Sequence, residues 1–224
     1  MTGQPAAPVL TIDGPSGSGK GTIAALAADR LGWHLLDSGA LYRIVGASAL
    51  RRGVPTAAAE ALATLAAGLD IRFTGERIEV DGVDLTEEIR TEPVSTAASE
   101  VAALEPVRAA ILDLQRQMRR PPGLVADGRD MGTVVFPDAE LKFYLDASAQ
   151  ERAERRYKQL KNKGLDVNFR ALLANLEDRD ARDKERAVSP LVPAEDALII
   201  DSTELDIDAV LELVLGEARN RHLT

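Results

Sequence analysis

Gly14-Pro15-Ser16-Gly17-Ser18-Gly19-Lys20-Gly21-Thr22 follows directly on the apolar run Val9-Leu10-Thr11-Ile12 and precedes an alanine-rich stretch, Ile23 to Arg30. A strand, a glycine-rich turn and a helix in that order leave few folds open. The glycines let the backbone curl so that successive N–H groups point into one concavity, which the helix N-terminus closes with the positive end of its dipole. Lys20 adds a mobile positive charge for outer phosphates. The stretch reads as a phosphate-binding loop. Its spacing fits G-x-x-x-x-G-K, but Gly21 stands where Ser or Thr is usual and the hydroxyl comes one position later, as Thr22.

Downstream the pattern alternates between strand and helix. Trp33 to Asp37 reads as a second strand. Ser38 is placed to cap a helix through Leu41, Tyr42, Ile44, Val45 and Leu50, ended by Arg51-Arg52-Gly53 and Pro55. Ala57 to Gly68 continues as helix. From Asp70 to Leu85 the apolar residues alternate, with Gly75-Glu76 and Asp81-Gly82 as turns, which predicts a small antiparallel β insertion. Pro93 to Met118 reads as two helices broken near Pro106, stopped by Pro121-Pro122-Gly123. Leu124-Val125-Ala126, Leu141 to Asp146 and Ala197 to Asp201 supply further strands. Ser148 to Asn162 and Asn168 to Arg186 read as charged helices joined by Lys163-Gly164, and Ile207 to Arg219 as a closing helix.

Strands alternating with helices predict an α/β protein with a mostly parallel five-stranded sheet covered on both faces, collecting ligands at the carboxyl ends of its strands. Three polar clusters fall at such ends and are expected to face one crevice. Besides the glycine-rich loop these are Ser38 with Tyr42 and Arg43, where a hydroxyl, a helix N-terminus and a guanidinium can converge on a phosphate, and Asp127-Gly128-Arg129-Asp130. In the latter, Arg129 suits a bidentate grip on phosphate and Asp130 can accept from a ligand amine. Arg179, Asp183 and Arg186 share a helix face at i, i+4 and i+7. Each of these clusters also fits a plainer role: an N-cap, a turn ion pair, a solvated charged face.

Composition narrows the classes. With 224 residues and 45% hydrophobic content the chain can bury a sizeable core, and a net charge of −9 argues against a general nucleic-acid or anionic-membrane binder. Against that background Arg152, Arg155, Arg156, Lys158, Lys161 and Lys163, offset only by Glu154, form a local basic excess suited to a lid over an anionic ligand. There is no cysteine, so neither a disulfide framework nor a thiolate site is available. No apolar run approaches the ~20 residues of a membrane span. Met1 to Pro8 lacks a charged region followed by an apolar one, so a short tail and a cytoplasmic location are expected. His34 and His222 have no second ligand at metal spacing.

Taken together, the motifs resemble those of the bacterial cytidylate kinases, members of the nucleoside-monophosphate kinase group of P-loop proteins. The resemblance covers nearly the whole chain. It rests on the loop Gly14 to Thr22, on Leu-Leu-Asp-Ser-Gly-Ala-Leu-Tyr-Arg from Leu35, on Ala-Asp-Gly-Arg-Asp-Met-Gly-Thr-Val-Val-Phe-Pro-Asp from Ala126, and on Arg-Asp-Ala-Arg-Asp-Lys-Glu-Arg-Ala-Val-Ser-Pro-Leu from Arg179. It implies a three-layer P-loop fold in a single kinase domain over 1–224, with a core at about 8–68 and 87–224, a β insertion at about 69–86 and a helical lid at about 152–168. The implied reaction moves the γ-phosphoryl of ATP to CMP or dCMP, with Mg²⁺, in a protein expected to be a monomer. Lys20, Arg43, Arg129 and Arg186 are then the catalytic residues. ATP lies on Gly14, Pro15, Ser16, Gly17, Ser18, Gly19, Lys20, Gly21 and Thr22, with Arg155 and Arg156 from the lid. Ser38, Arg43 and Arg129 match positions that hold the acceptor phosphate, Ser99, Arg108 and Asp130 the cytosine contacts, Arg179 and Asp183 the sugar contacts, and Arg186 the acceptor pocket, with Tyr42 among the substrate-binding residues. Thr22 is the candidate hydroxyl near the metal. A kinase of another small acceptor and a non-catalytic nucleotide switch are the alternatives; the Asn-Lys-x-Asp motif of guanine switches is missing, since Asn162-Lys163-Gly164 continues with Leu165.

Overall fold

Strand β1 (Val9–Asp13) is buried at every position, as a strand covered on both faces must be. In the computed structural model, which describes residues 6–74, 77–162 and 164–223, it lies at the centre of a five-stranded sheet. The order is β2 (His34–Asp37), β6 (Leu124–Gly128), β1, β7 (Leu141–Asp146), β8 (Leu198–Asp201). β1 runs parallel to both β6 and β7, and β7 parallel to β8. The register Asp13↔Gly128 brings the carboxyl ends of β1 and β6 level, so the segments that follow them emerge side by side, while β7, paired through Asp13↔Tyr144, runs two residues further to Asp146. The five strands read from the sequence are all present.

The chain divides into two compact units, Met1–Leu36 with Met118–Thr224, and Asp37–Gln117. In the first, Leu10, Ile12, Val125, Leu141, Phe143 and Leu145 of the sheet pack against Ile23, Ala24 and Ala27 of helix α1 (Lys20–Leu31) and Val210, Leu211 and Val214 of helix α8 (Ile207–Asn220). Each fully buried Leu or Ile in such a layer contributes about 1.5–3 kcal/mol. The alanines of α1 matter in another way: small side chains let the helix that closes the phosphate loop lie close on the sheet. The expected tail is partly held, since Arg119 Nε donates to Ala7 O at 2.6 Å and Leu124 N to Pro8 O at 2.9 Å; residues 1–5 lie outside the described residues.

The second unit contains helix α2 (Ser38–Arg52), helix α3 (Ala59–Ala67), helix α4 (Glu92–Val101) and helix α5 (Glu105–Gln117). It also holds an antiparallel sheet of β3 (Ile71–Thr74), β4 (Arg77–Val80) and β5 (Val83–Asp84), where the β insertion was expected; the Gly75-Glu76 turn lies outside the described residues. Ile44 and Ala47 of α2 and Val94 of α4 form its core with Ile78, Val80, Leu85 and Ile89. Ala97 and Ala98 approach so closely that a Cβ on Gly46 would sit 3.0 Å from the Ala98 amide.

Two boundaries differ from expectation. The break between α4 and α5 falls at 102–104, and Pro106 is the second residue of α5, where an amide N–H has no intrahelical partner and its loss costs little. Ser38 is not the N-cap of α2: Asp37 is, its Oδ1 accepting from Ala40 N at 2.9 Å. In the first unit helix α6 (Ala149–Asn162) and helix α7 (Phe169–Glu185) bracket the connection in which Lys163 lies outside the described residues, and Asn168 caps α7. Among the described residues no helix is long and apolar enough to cross a membrane.

Candidate active site

The loop leaves β1 through Gly14, where no side chain fits: a Cβ there would lie 2.1 Å from the Leu145 carbonyl oxygen. Gly17 and Gly19 follow with φ of 81° and 92°, the left-handed region that glycine adopts freely, and α1 starts at Lys20. Gly19 supplies no side-chain cap, so the first-turn N–H groups of α1 are presented to whatever lies in the loop. Lys20 is buried and its Nζ donates to Pro15 O at 3.1 Å, which lays the ammonium across the loop. The buried Ser18 hydroxyl has no hydrogen-bond partner among the described residues. This is the arrangement read from the sequence.

Asp13, the last residue of β1, was not singled out there. Its carboxylate accepts from the backbone N–H groups of Met131 and Gly132, both at 2.8 Å, and so fixes the π-helical turn Met131–Val135 that follows Asp130. Burial raises its pKa to about 6. The two N–H bonds and Lys20 pull the other way, and Asp130 adds to the rise. Asp13, Asp130 and Lys20 thus share one electrostatic neighbourhood beside the loop.

Arg129 Nε donates to Asp183 Oδ2 at 2.8 Å, with little exposure on either side chain. Burial pushes the Asp183 carboxyl up, and Arg129, with Arg179 and Arg186, more than offsets it, so its pKa ends below the usual range. Burial likewise opposes the Arg129 charge, and Asp183, backed by Asp127 and Asp180, outweighs it. Arg129, Arg179, Asp183 and Arg186 are therefore brought together, and of the three residues expected on one helix face Arg179 and Asp183 lie on α7 while Arg186 does not. Arg186 lies just past the end of α7 in extended backbone (φ −60°, ψ 138°), and its Nε donates to Ser189 O.

The basic excess on α6 divides. Arg152, read as one cation of a lid, is instead buried at the base of the phosphate loop. Its Nε donates to Ala147 O at 2.9 Å, its Nη1 to Ser16 O at 2.8 Å, and its fork closes on the Asp180 carboxylate. Arg155 is held by Glu151 at 2.9 Å and by Ser202 O at 2.6 Å. Arg156 is half-buried, and Lys158 and Lys161 are exposed.

In the second unit Ser38 is buried and its Oγ accepts from Gln115 Nε2 at 2.9 Å. Arg108 stands over the Tyr42 ring at 5.6 Å and donates to Ala102 O at 3.2 Å, a position that favours the cation through the ring's negative face. Arg43 donates to Ile89 O at 3.3 Å. Ser99 carries a buried hydroxyl with no hydrogen-bond partner among the described residues. Gln115, buried in α5, gave no signal in the sequence, because a glutamine in an amphipathic helix reads as surface.

For a divalent cation the donor chemistry is hard oxygen. Thr22 is exposed on the first turn of α1, and Asp127 Oδ2 lies 3.4 Å from where a side chain on Gly21 would begin. Among the described residues no three carboxylate or imidazole groups could hold a metal by themselves. The set fits Mg²⁺ bound chiefly through phosphate oxygens and water. His34 contacts Pro121 O at 3.0 Å, and His222 is exposed at the end of α8.

A cytidylate kinase family model matches residues 10–220. The chain is 58% identical over 219 residues to a cytidylate kinase of Aeromonas hydrophila, covering 96% of this chain and 95% of that one. It is 58% identical over 216 residues to a cytidylate kinase of Pseudomonas aeruginosa, covering 94% of each. Among solved structures, an uncharacterized protein from Eubacterium ventriosum is similar at TM-score 0.51 and 12% identity, over 95% of this chain and 98% of that one, which speaks to the fold alone. With matches of this extent, the chain belongs to the cytidylate kinase family.

Proposed function

We infer that this chain is a nucleoside-monophosphate kinase that transfers the γ-phosphoryl group of ATP to CMP or dCMP, yielding ADP and CDP or dCDP. The observation that carries this is the 58% identity to cytidylate kinases over almost the whole chain. The geometry of each unit is in keeping with it. Phosphoryl transfer needs positioning and charge neutralisation more than covalent catalysis, and the chain offers a loop of backbone amides, one lysine and several arginines.

We assign the residues as follows. An oxygen of the CMP phosphate attacks the γ-phosphorus while the bond to the ADP oxygen breaks. The loop amides and Lys20 hold the ATP phosphates, and Lys20 follows the transferring group. Ser38, Arg43, Arg129 and Arg186 are assigned to the acceptor phosphate, where they would offset the charge that builds on transfer, and Tyr42 is assigned to the same substrate. Arg129 reaches that phosphate with Nη groups while Nε stays on Asp183. Asp130 accepts from the cytosine amine, assisted by Ser99 and Arg108, while Arg179 and Asp183 take the sugar. Arg155 and Arg156 contribute to ATP from α6. Thr22 would help to hold Mg²⁺, which would supply further charge neutralisation to the phosphates. The test is initial rates with ATP against CMP, dCMP, UMP and AMP. CMP and dCMP are the expected acceptors, and equal turnover of AMP would overturn the assignment.

A further inference from the structure

We propose that Arg152 is a positioning residue of the donor site, acting through the Ser16 carbonyl to aim the Gly17 amide at ATP, with Asp180 as its anchor. The proposal rests on the ATP-dependent reaction inferred above.

A peptide unit is planar and trans, so its C=O and N–H point in opposite directions. Arg152 Nη1 holds the Ser16 oxygen at 2.8 Å from the α6 side of the loop. The N–H of Gly17, in the same peptide unit, therefore points away from α6. Held in that one orientation, the amide is the group proposed to meet a phosphate oxygen of ATP. Gly17 lies at φ 81° and a Cβ there would be 3.4 Å from the Arg152 Cβ, so the loop rests on the arginine stem as well as on its head. Without that grip, the two glycines flanking Ser18 leave this peptide unit easy to rotate.

A purely structural role would be an inefficient use of these atoms. The Arg152 side chain is 3% exposed and that of Asp180 13%. A buried ion pair of this kind is often no more stabilising than apolar side chains of the same volume. What an apolar replacement cannot do is hold the Ser16 carbonyl. Asp180 orients the guanidinium, and its neighbour one turn on, Asp183, orients Arg129, so α7 braces both the loop and the arginine that follows β6.

The experiment is calorimetric titration of ATP and, separately, of CMP into wild type, Arg152→Lys and the double variant Arg152→Met/Asp180→Leu, with thermal unfolding alongside. Lysine keeps a charge against Asp180 but not the fork that reaches Asp180, Ala147 and Ser16 together. The double variant removes the buried pair as a unit. The expected result is an ATP Kd raised by about tenfold in the double variant and about threefold in Arg152→Lys, with CMP Kd in the absence of ATP within about twofold of wild type. A folded double variant with an unchanged ATP Kd overturns the proposal, as does an equal loss for ATP and CMP. If the double variant does not fold, Arg152→Lys decides by the same two readouts. A wild-type chain that fails to bind ATP overturns the donor assignment itself, a result distinct from either variant outcome.

Discussion

The phosphate loop of the first unit and the helical cluster of the second are built on different principles. In the loop the groups offered to a ligand are backbone amides, and the rigid parts lie behind them: Gly14 pressed on Leu145, Arg152 on Ser16, and Asp13 holding the turn after Asp130. In the second unit the groups proposed for the ligand are side chains on α2, α4 and α5, kept in place by contacts such as the Gln115 amide to Ser38 and the Tyr42 ring under the Arg108 cation. A triphosphate can be recognised by any backbone that presents enough N–H groups, whereas a nucleotide base requires particular side chains. The first strategy leaves a dense motif in the sequence, and the second leaves scattered residues.

This contrast can be tested by substitution, beginning with the largest expected effect. Arg129→Ala is expected to lower kcat by ~10²–10³-fold while the Kd for ATP changes little, because the partner assigned to Arg129 is the acceptor phosphate. It also leaves the buried Asp183 carboxylate with only Arg179 and Arg186 to offset it, a stability loss of about 3 kcal/mol in urea titrations. An unchanged kcat would refute the role. Gly14→Ala is expected to cost ~3 kcal/mol or more, since the clash is with the Leu145 backbone and no rotamer relieves it. Near-native stability in that variant would show that the loop is less rigidly seated than its contacts imply.

Asp13 gives a pH signature. Its folded pKa, about 6, lies above the usual carboxylate range. The native state therefore holds this proton more tightly than the unfolded chain. The stability it contributes is full below about pH 4 and is lost as pH rises through 6. Asp13→Asn should remove that slope. The unfolding free energy of wild type relative to the variant is then expected to fall by on the order of 3 kcal/mol between pH 4 and pH 7. A parallel pair of curves would contradict the shift.

On the second unit, Gln115→Leu should raise the KM for CMP several-fold, a loss of about 1 kcal/mol, with the KM for ATP unaffected, because Ser38 loses the donor that leaves its own proton free for a phosphate. Equal changes in both constants would mean that Gln115 serves only the packing of α5. The smallest effect is expected where neither strategy operates: Arg51→Ala, breaking the exposed pair with Glu88, should change stability by less than about 0.5 kcal/mol.

The difference between the two regions also explains what could be read in advance. All five strands of the main sheet, the loop and the Arg129-Asp130 turn were legible because each is a local pattern, a short apolar run or a glycine-marked turn. The three-stranded sheet was legible from the change of period after Asp70. Arg152 was misread because a charge run carries no information about which member turns inward; its partner Asp180 is 28 residues away. Asp13 and Met131 are 118 residues apart, and Ser38 and Gln115 are 77 apart, so neither contact has a local signature. Arg186 was placed on the helix by counting residues, but α7 ends one position earlier. The assignments of Ser99, Arg108 and Asp130 to a base came from the family resemblance, and the chemistry of cytosine made them plausible without requiring them.

The most direct test of the account is therefore the ratio of kcat/KM for CMP over UMP, measured for wild type and for Asp130→Ala. Cytosine presents an amine donor where uracil presents a carbonyl acceptor, and a buried carboxylate matches the first and repels the second. Wild type is expected to prefer CMP by roughly 100-fold or more, and Asp130→Ala to bring the ratio within about tenfold of unity through loss of CMP activity. A ratio that stays the same when Asp130 is removed would contradict base reading at this residue and, with it, the assignment of the acceptor base to particular side chains.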